Sequence, residues 1–495
     1  MGLCKVSNES TRAIAEVLSK KKTLFAILLI AVYAVINGIL LYFHEPWRDE
    51  AQAWLIARDL TFWEIPSQMH YEGHPCLWHW ILYPFAHMGL PYITINIVSY
   101  VITLAATAFM IWKAPFPIWV KALFALSPCL TYFYPVIARS YCLIPPILFA
   151  MAYYYPSRKE HPCRYTLFIA LLVQTHIIME IMALMLSLIL LIEYARDIYI
   201  TRNRRKALHY ILALLIPLIS AIFLLYQLYD VETSSSYEIK QIGIREIIVF
   251  LSHYKWFICT TAMLVVMAVL KRGNTAYAAV AITVVSLCFQ VWFYIAVYAI
   301  SCQRYMAAIH ILIWAFWIIQ DSRNGWQIER ILSRKYAVWA NRLCNIILVL
   351  FFATLIKKEL PVAYRDIRLP YSNAKEAAKF IKTNIPKDAI LLADAPAWAS
   401  AITPYLDDNV KPLFCSTMKE FSFVTWDGNE EATISYEDFK REMDVYGISN
   451  VPIYLISVTR WSFIRDSRLS EDNELIYNSK VKAMIDEDFE IYKIH

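Results

Sequence analysis

Two acidic side chains follow one another just after the first apolar stretch of this sequence. Residues 23–43 are apolar enough to cross a membrane, and Asp49 and Glu50 stand side by side in "HEPWRDEAQAW". A carboxylate is costly at membrane depth, so an acid pair beside a span indicates either a polar cavity or the end of a helix. The residues that follow have helical spacing, which predicts a helix lying on the membrane surface with the pair in its first turn. Because the helix dipole accounts for an acid there without any chemistry, a catalytic carboxylate is the competing interpretation.

A second polar motif comes shortly afterwards, in "MHYEGHPCLWHW" (69–80). Glu72 and His74 stand just before Pro75, and an apolar, aromatic helix is predicted to follow that proline. A carboxylate and an imidazole at the mouth of a membrane helix are costly unless they serve a polar cavity. The sequence therefore predicts that acids from the two motifs gather in one site.

The composition places the chain in a membrane. Of its 495 residues, 59% are hydrophobic and only 18% are charged, whereas a soluble globular chain carries about 25% charge. The net charge of +6 is small for this length and lies in short loops, so it indicates membrane topology and not nucleic-acid binding. Ten cysteines without a CxxC pair and only nine glycines argue against a cysteine metal site and a nucleotide-binding loop.

Basic residues orient the predicted spans. Lysines at 20–22 precede the first span, so residues 1–22 are expected in the cytoplasm and the loop 44–74 outside, as is the serine-rich stretch 229–243. The sequence predicts about 11–13 hydrophobic helices between residues 23 and 360, several of them too short to cross unaided. Further apolar segments are expected at 75–90, 91–112, 116–134, 141–155, 165–195 (two helices broken around "QTHIIME"), 208–228, 248–270, 275–299, 305–320 and 337–356.

The character of the sequence changes after Leu360. "AKEAAKFIKTNIP" has the spacing of an amphipathic helix, and "AILLADAP" and "VPIYLISV" are typical of buried strands. Further helices are predicted near 436–446 and 478–485. Residues 361–495 are therefore predicted to form a small α/β domain, which the orientation of the last span places outside the cytoplasm.

The two polar motifs resemble those of a known class of enzymes. "RDEAQAW" after a first outward span, followed by "YEGHPCLWHW", is similar to the GT-C glycosyltransferases of the protein O-mannosyltransferase and lipid A aminoarabinose transferase branch. Asp49 and Glu50 match the Asp-Glu pair of that branch, and Glu72, His74 and Pro75 match its acid and proline-containing turn. Cys76 stands where the family pattern has a second proline. The resemblance implies a polytopic helical bundle that uses a polyprenyl-phosphate sugar as donor.

Weaker similarities select further site residues. "RSYCL" resembles a motif that opens a later helix in such enzymes and selects Arg139 and Tyr141. "VQTHIIME" selects His176 at a helix break, and "SCQRYMAAIH" selects Arg304 and Tyr305 at the mouth of a late span.

The implied reaction moves a sugar from a lipid phosphate to an acceptor hydroxyl or amine. Asp49 is expected to take the acceptor's proton, while Glu50 and Glu72 hold hydroxyls or share a divalent cation. Arginine suits the departing phosphate, so Arg139 and Arg304 are expected there. No obligatory metal is expected, and the acceptor is left open among glycan, lipid and protein.

Two other classes of protein compete with the enzyme. A transporter or flippase of a lipid-linked sugar would also use intramembrane acids and broken helices, but the acids here crowd one loop and the sequence shows no two similar halves. A non-catalytic scaffold would need neither Glu72 nor His74. The Lys- and Ile-rich composition favours a bacterial plasma membrane.

Overall fold

The fold is described from a computed structural model. It covers residues 2–229, 255–271, 273–297, 301–324, 334–407, 410–426, 434–445, 451–458 and 468–495, with residues 244, 245, 248, 462 and 464. The predicted outer stretch 229–243 thus falls almost wholly outside the described residues. The helices of the first 370 residues are α1 Gly2–Phe43, α2 Arg48–Asp59, α3 Ile65–Glu72, α4 Leu77–His87, α5 Thr94–Lys113, α6 Ile118–Ala125, α7 Ile144–Tyr154, α8 Pro162–Val173, α9 Glu180–Thr201, α10 Arg204–Leu228, α11 Lys255–Lys271, α12 Asn274–Ala296, α13 Cys302–Gln320 and α14 Arg334–Arg368.

The helical bundle confirms the predicted fold class. Among the described residues, six helices are long and apolar enough to cross a membrane, and α8 and the stretch Ile258–Lys271 are shorter apolar helices. Helix α13 is almost entirely buried, with Trp314 and Trp317 fully enclosed, so it forms the centre of the bundle. The outer helices expose leucine and isoleucine side chains, as a lipid-facing surface requires.

The predicted break in residues 165–195 is confirmed. Helix α8 ends at Val173 and α9 begins at Glu180, and a short 3-10 turn, Ile177–Met179, lies between them. The ring nitrogen Nδ1 of His176 accepts a hydrogen bond from the backbone N–H of Ile178 at 3.3 Å. This bond satisfies a backbone donor that the interrupted helix leaves open.

Only the first half of the apolar segment 116–134 is helical. Helix α6 ends at Ala125, and the buried residues that follow form turns up to Arg139. Pro128 lacks a backbone donor, and the hydroxyls of Ser127 and Thr131 bond to nearby carbonyls, which favours turns over a continued helix.

The last part of the chain forms a five-stranded sheet with short helices, which confirms the predicted α/β domain. Its strands are β1 Ile390–Ala393, β2 Leu413–Phe414, β3 Ile453–Val458, β4 Glu474–Asn478 and β5 Phe489–Ile494, and its helices are α15 Ala374–Asn384, α16 Pro396–Ala399, α17 Tyr436–Val445 and α18 Arg468–Asp472. The strand order is β2-β1-β3-β5-β4; β1 runs parallel to β2 and β3, and β5 runs antiparallel to β3 and β4.

Two boundaries differ from the sequence analysis. Helix α14 continues past residue 360 to Arg368, so this long helix leads directly into the sheet domain. The prediction of a helix at 478–485 is wrong, because β4 ends at Asn478 and the residues that follow form a loop. The carboxylate of Asp488 fixes that loop by accepting hydrogen bonds from the backbone of Ala483 (2.8 Å) and from Asn373 Nδ2 (2.7 Å).

The sheet domain packs on residues 44–74, which we call the first loop. The guanidinium of Arg48 lies 4.5 Å from the ring centre of Trp398, and the ring of His44 lies 4.7 Å from that of Tyr371. Residues 50–57 of α2 are all buried, and the helix contacts both the bundle and the sheet domain. The placement of α2 along the membrane surface stays a prediction.

Candidate active site

Asp49 and Arg139 form an ion pair where α2 begins. The carboxylate oxygen Oδ2 of Asp49 lies 2.5 Å from Nη1 of Arg139, and each side chain keeps about a quarter of its surface exposed (26% and 24%). Arg139 precedes the 3-10 turn Ser140–Leu143 that opens α7, so two distant segments meet at this pair. Partial exposure leaves both groups able to contact a substrate.

Glu50, the neighbour of Asp49, is completely buried and has a different environment. Its Oε2 accepts hydrogen bonds from the backbone N–H of Trp47 (3.0 Å) and from His44 Nε2 (3.2 Å). Its Oε1 accepts from Asn96 Nδ2 (2.7 Å) and from the backbone N–H of Ala138 (2.6 Å). The bond to Trp47 caps α2. The bond to Ala138 holds the backbone next to Arg139 in place. All four partners are donors, two from the first loop and two from the bundle, so Glu50 connects the first loop to the bundle.

A charged network continues from Glu50 into the end of α14. His44 Nδ1 lies 2.8 Å from Oδ2 of Asp366, and the hydroxyl of Tyr132 donates to the same oxygen at 2.9 Å. Burial opposes a charge on His44, but the carboxylates of Asp366 and Glu50 outweigh that effect and raise its pKa to about 10. An imidazolium between two carboxylates therefore ties the first loop to the helix that leads into the sheet domain.

Glu72 lies at the end of α3, immediately before a glycine in the left-handed region. Gly73 has φ of 67° and ends the helix, so the chain turns sharply after Glu72. Only 5% of the Glu72 side chain is exposed, and its Oε1 accepts a hydrogen bond from Gln52 Nε2 at 2.7 Å. Burial raises the pKa of Glu72 to about 7; the Gln52 bond and the charge of Arg139 lower it, and the charge of Asp49 raises it. Glu72 thus shares an electrostatic environment with the Asp49–Arg139 pair.

His74 completes this group as a neutral imidazole. Its Nε2 lies 3.8 Å from Oε2 of Glu72, and its ring stacks on that of His79 with centroids 5.5 Å apart. Burial, followed by the nearby charge of Arg139, lowers the pKa of His74 to about 4. The contact with Glu72 is therefore not an ion pair at neutral pH, and the imidazole can donate or accept a proton in a hydrogen bond.

The remaining predicted residues extend the site towards the broken helix. The Arg139 guanidinium lies 5.8 Å from the ring centre of Tyr141, and that ring stacks on His176 at 4.6 Å. His176 is in turn within electrostatic reach of Arg304, which is half-buried in the first turn of α13. Tyr305 is different: it is buried in the core of the bundle.

Several buried polar atoms near the site have no hydrogen-bond partner among the described residues. They include the hydroxyl of Tyr141, Nδ1 of His74 and the Oε1 atom of Glu180, which begins α9. Unsatisfied buried polar atoms are uncommon in folded proteins.

Some residues of the site gave no signal that we recognised in the sequence. Asn96 and Glu487 contact the first loop and belong to no motif. Gln52 lies within "RDEAQAW", but nothing in the sequence distinguishes it from its neighbours. Glu50 stands at the third helical position, where a capping glutamate bonds back to the backbone of the N-cap residue, here Trp47.

An open groove of about 560 Å³ lies elsewhere, beside Glu45. It is lined by Glu45, Tyr405 and the lysines of α15, and none of the predicted site residues lines it. Within the described part of the chain, no group of three His, Cys, Asp or Glu side chains is placed to hold a metal ion.

The fold defines the chain as a polytopic helical membrane protein of GT-C type. The crystal structure of ArnT from Cupriavidus metallidurans in the apo state matches it with a TM-score of 0.52 at 11% identity, over 95% of this chain and 98% of that chain. The structure of the same protein bound to undecaprenyl phosphate gives a TM-score of 0.48 with the same identity and coverage. No family model and no curated protein sequence matches the chain. The chain therefore has the fold of ArnT, a lipid A aminoarabinose transferase, as the two motifs predicted.

Proposed function

We propose that this chain is a membrane glycosyltransferase that takes its sugar from a polyprenyl-phosphate donor. The observation that carries the proposal is that Asp49, Glu72 and Arg139, from three separate segments, share one electrostatic environment, with Asp49 and Arg139 each about a quarter exposed. The likeness to ArnT, one structure of which holds undecaprenyl phosphate, supports the class of donor. Under this proposal the site and the sheet domain face the outside of a bacterial plasma membrane.

The proposed chemistry is a displacement at the anomeric carbon of the donor sugar. Asp49 takes the proton of the acceptor hydroxyl or amine, whose oxygen or nitrogen forms the new bond to that carbon. The bond from carbon to the lipid phosphate breaks, and the phosphate leaves with its negative charge. An attack opposite to the leaving group inverts the configuration of the sugar.

Two carboxylates in different surroundings suit two roles. Asp49 is the more exposed carboxylate and reaches the acceptor, while the nearly buried Glu72 and the half-buried His74 hold a hydroxyl of acceptor or sugar. We assign Glu50 a supporting role, since its oxygens already accept bonds from the protein.

Two arginines are assigned to neutralise the negative charge of the leaving phosphate. Arg139 has one guanidinium nitrogen on Asp49 and lies beside Tyr141, and Arg304 lies within electrostatic reach of His176. A guanidinium matches phosphate oxygens with paired donors, so binding of the phosphate by these two residues stabilises the departing lipid.

The direct test uses the purified protein with a panel of polyprenyl-phosphate sugars. A transferase is expected to release free lipid phosphate in proportion to the glycosylated acceptor. A transporter would move the donor across a vesicle membrane and release no lipid phosphate. Transport without release would overturn the proposal.

The rate of transfer is expected to fall in acid because protonation of Glu72 removes its negative charge and turns one of its acceptor oxygens into a donor. Burial raises its pKa to about 7, so the ionised fraction, and kcat/KM with it, falls about tenfold for each pH unit below pH 7. Glu72→Gln is expected to slow transfer and to remove this acid limb. The matched control is Glu64→Gln in the exposed part of the same loop, which should keep the limb. An acid limb unchanged in Glu72→Gln would assign it to another group.

Arg304→Ala is expected to raise the KM for the lipid donor about 10–100-fold, because it removes charge-assisted hydrogen bonds to the phosphate. The KM for the acceptor should change little. Arg323→Ala, just past the other end of the same helix, is the matched control, since Arg323 pairs with Asp321. Equal losses for donor and acceptor would contradict the assigned role of Arg304.

A further inference from the structure

A short segment of the sheet domain reaches into the site. Residues 421–424, which we call the 421–424 segment, follow strand β2 and are tied to it by a hydrogen bond from Phe421 N–H to Pro412 O at 3.0 Å. The segment ends on Val424, whose side chain is buried. Its backbone contacts Gln52, the residue that donates to Glu72.

The side-chain amide of Gln52 is fully used by these contacts. Its Oε1 accepts from the backbone N–H of Val424 at 2.9 Å, and its Nε2 donates to the backbone carbonyl of Val424 at 2.6 Å. The second N–H of the same nitrogen donates to Oε1 of Glu72 at 2.7 Å. The three bonds use both amide hydrogens and the amide oxygen.

The pairing with Val424 fixes which way the amide points. If the amide were rotated by half a turn, its oxygen would face the Glu72 carboxylate and its N–H groups would face the N–H of Val424. Both contacts would be repulsive. The peptide group of Val424 therefore selects the orientation in which Gln52 presents a donor to Glu72.

A second contact holds the segment against the same helix. Ser422 Oγ donates to the carboxylate of Asp59 at the end of α2, and Arg58 Nη2 donates to Ser422 Oγ at 3.3 Å. Phe423, between the two contacts, packs on the apolar residues beneath α2 and α3. The 421–424 segment is thus seated along α2 through side chains and backbone.

We propose that Gln52 is a positioning residue for Glu72 and that the backbone of Val424 sets its orientation, so that the sheet domain completes the site. The inference rests on the proposed function for its consequence in transfer. The charged and titratable groups that face Glu72 are Asp49 on α2, Arg139 before α7 and His74 after α3. None of these is altered by the changes described next.

The test compares three variants of the full chain in lipid nanodiscs. Gln52→Met keeps the length of the side chain and removes the amide. Val424→Pro removes the N–H that orients Gln52, and Val424→Ala, the matched control, keeps that N–H while removing the buried methyl groups. The ionisation of Glu72 is followed by infrared titration of its carboxyl band, which is assigned by its loss in Glu72→Gln.

The midpoint of the Glu72 titration is expected to rise by about one pH unit in Gln52→Met and in Val424→Pro, a tenfold change in proton affinity. It should stay near the wild-type value in Val424→Ala. The acid limb of transfer should move by the same amount. In a Glu72→Gln background, which lacks the limb, Gln52→Met should add no pH dependence of its own.

The two proposals fail in different ways. An unchanged midpoint in Gln52→Met overturns the positioning role, whatever the activity of the wild type. A shift of the same size in Val424→Ala would assign the effect to packing and overturn the role of the backbone. A shifted midpoint in a wild-type protein that transfers no sugar would support the positioning role and overturn the proposed function.

Discussion

Asp49→Asn is expected to lower the rate of transfer by about 10²–10⁴-fold while the protein folds and inserts normally. Asparagine has nearly the volume of aspartate and can still accept a hydrogen bond from Arg139, but it cannot take the acceptor's proton. The ion pair that the change removes is a quarter exposed, so its loss should cost less than about 1 kcal/mol of stability. The measurement is kcat/KM for transfer, with thermal unfolding of the same preparation.

The same Asp→Asn change at a carboxylate outside the site shows whether loss of a negative charge alone affects transfer. Asp197→Asn removes a carboxylate that pairs with Lys206 at the opposite, basic end of α9, and it should leave transfer unchanged. Full activity of purified Asp49→Asn would exclude Asp49 as the base and leave Glu72 as the carboxylate best placed for that role.

The convergence of the two polar motifs could be predicted from the sequence because charge is costly beside a membrane. Asp49 and Glu72 stand in a short loop between apolar segments, so few arrangements hide them from lipid except a common cavity. Arg139 was found through a weaker similarity, and the structure pairs it with Asp49. The break before α9 was visible for a similar reason, since polar residues interrupt an apolar stretch.

The separate environments of Asp49 and Glu50 could not be predicted from their adjacency. Neighbouring residues on a helix point about 100° apart, so one can face a cavity while the other faces the core. A capping pattern was present, because Glu50 follows Trp47 by three positions. It was hidden because tryptophan is not a usual helix-capping residue.

The role of the sheet domain was also beyond the sequence analysis. Gln52 is held by the backbone of Val424, and backbone groups leave no signature in a sequence. Glu487, which accepts a hydrogen bond from the backbone N–H of Arg48 at 3.1 Å, lies at the far end of the chain. Contacts between segments so distant depend on tertiary packing, which local patterns do not encode.

Glu50→Gln is expected to lower the free energy of unfolding by about 3–5 kcal/mol, although it stands next to a residue whose loss should cost little. Each oxygen of Glu50 accepts hydrogen bonds from two N–H donors. In glutamine an NH₂ group replaces one of these oxygens, so it would face the two donors that bonded to that oxygen. The change would also leave the charged His44 with one carboxylate, Asp366, in place of two. A buried network with unsatisfied donors is less stable than its individual bonds suggest.

The comparison of Glu50→Gln with Asp49→Asn tests whether Glu50 stabilises the fold while Asp49, in the same helical turn, acts in the reaction. We expect Glu50→Gln to reduce the melting temperature in detergent, and Asp49→Asn to leave it near the wild-type value. Transfer by the folded fraction of Glu50→Gln should exceed that of Asp49→Asn, since the proton acceptor is retained. If Glu50→Gln melted with the wild type but lost all transfer, Glu50 would act directly in the reaction, and the support of the first loop would rest on His44 and Asp366.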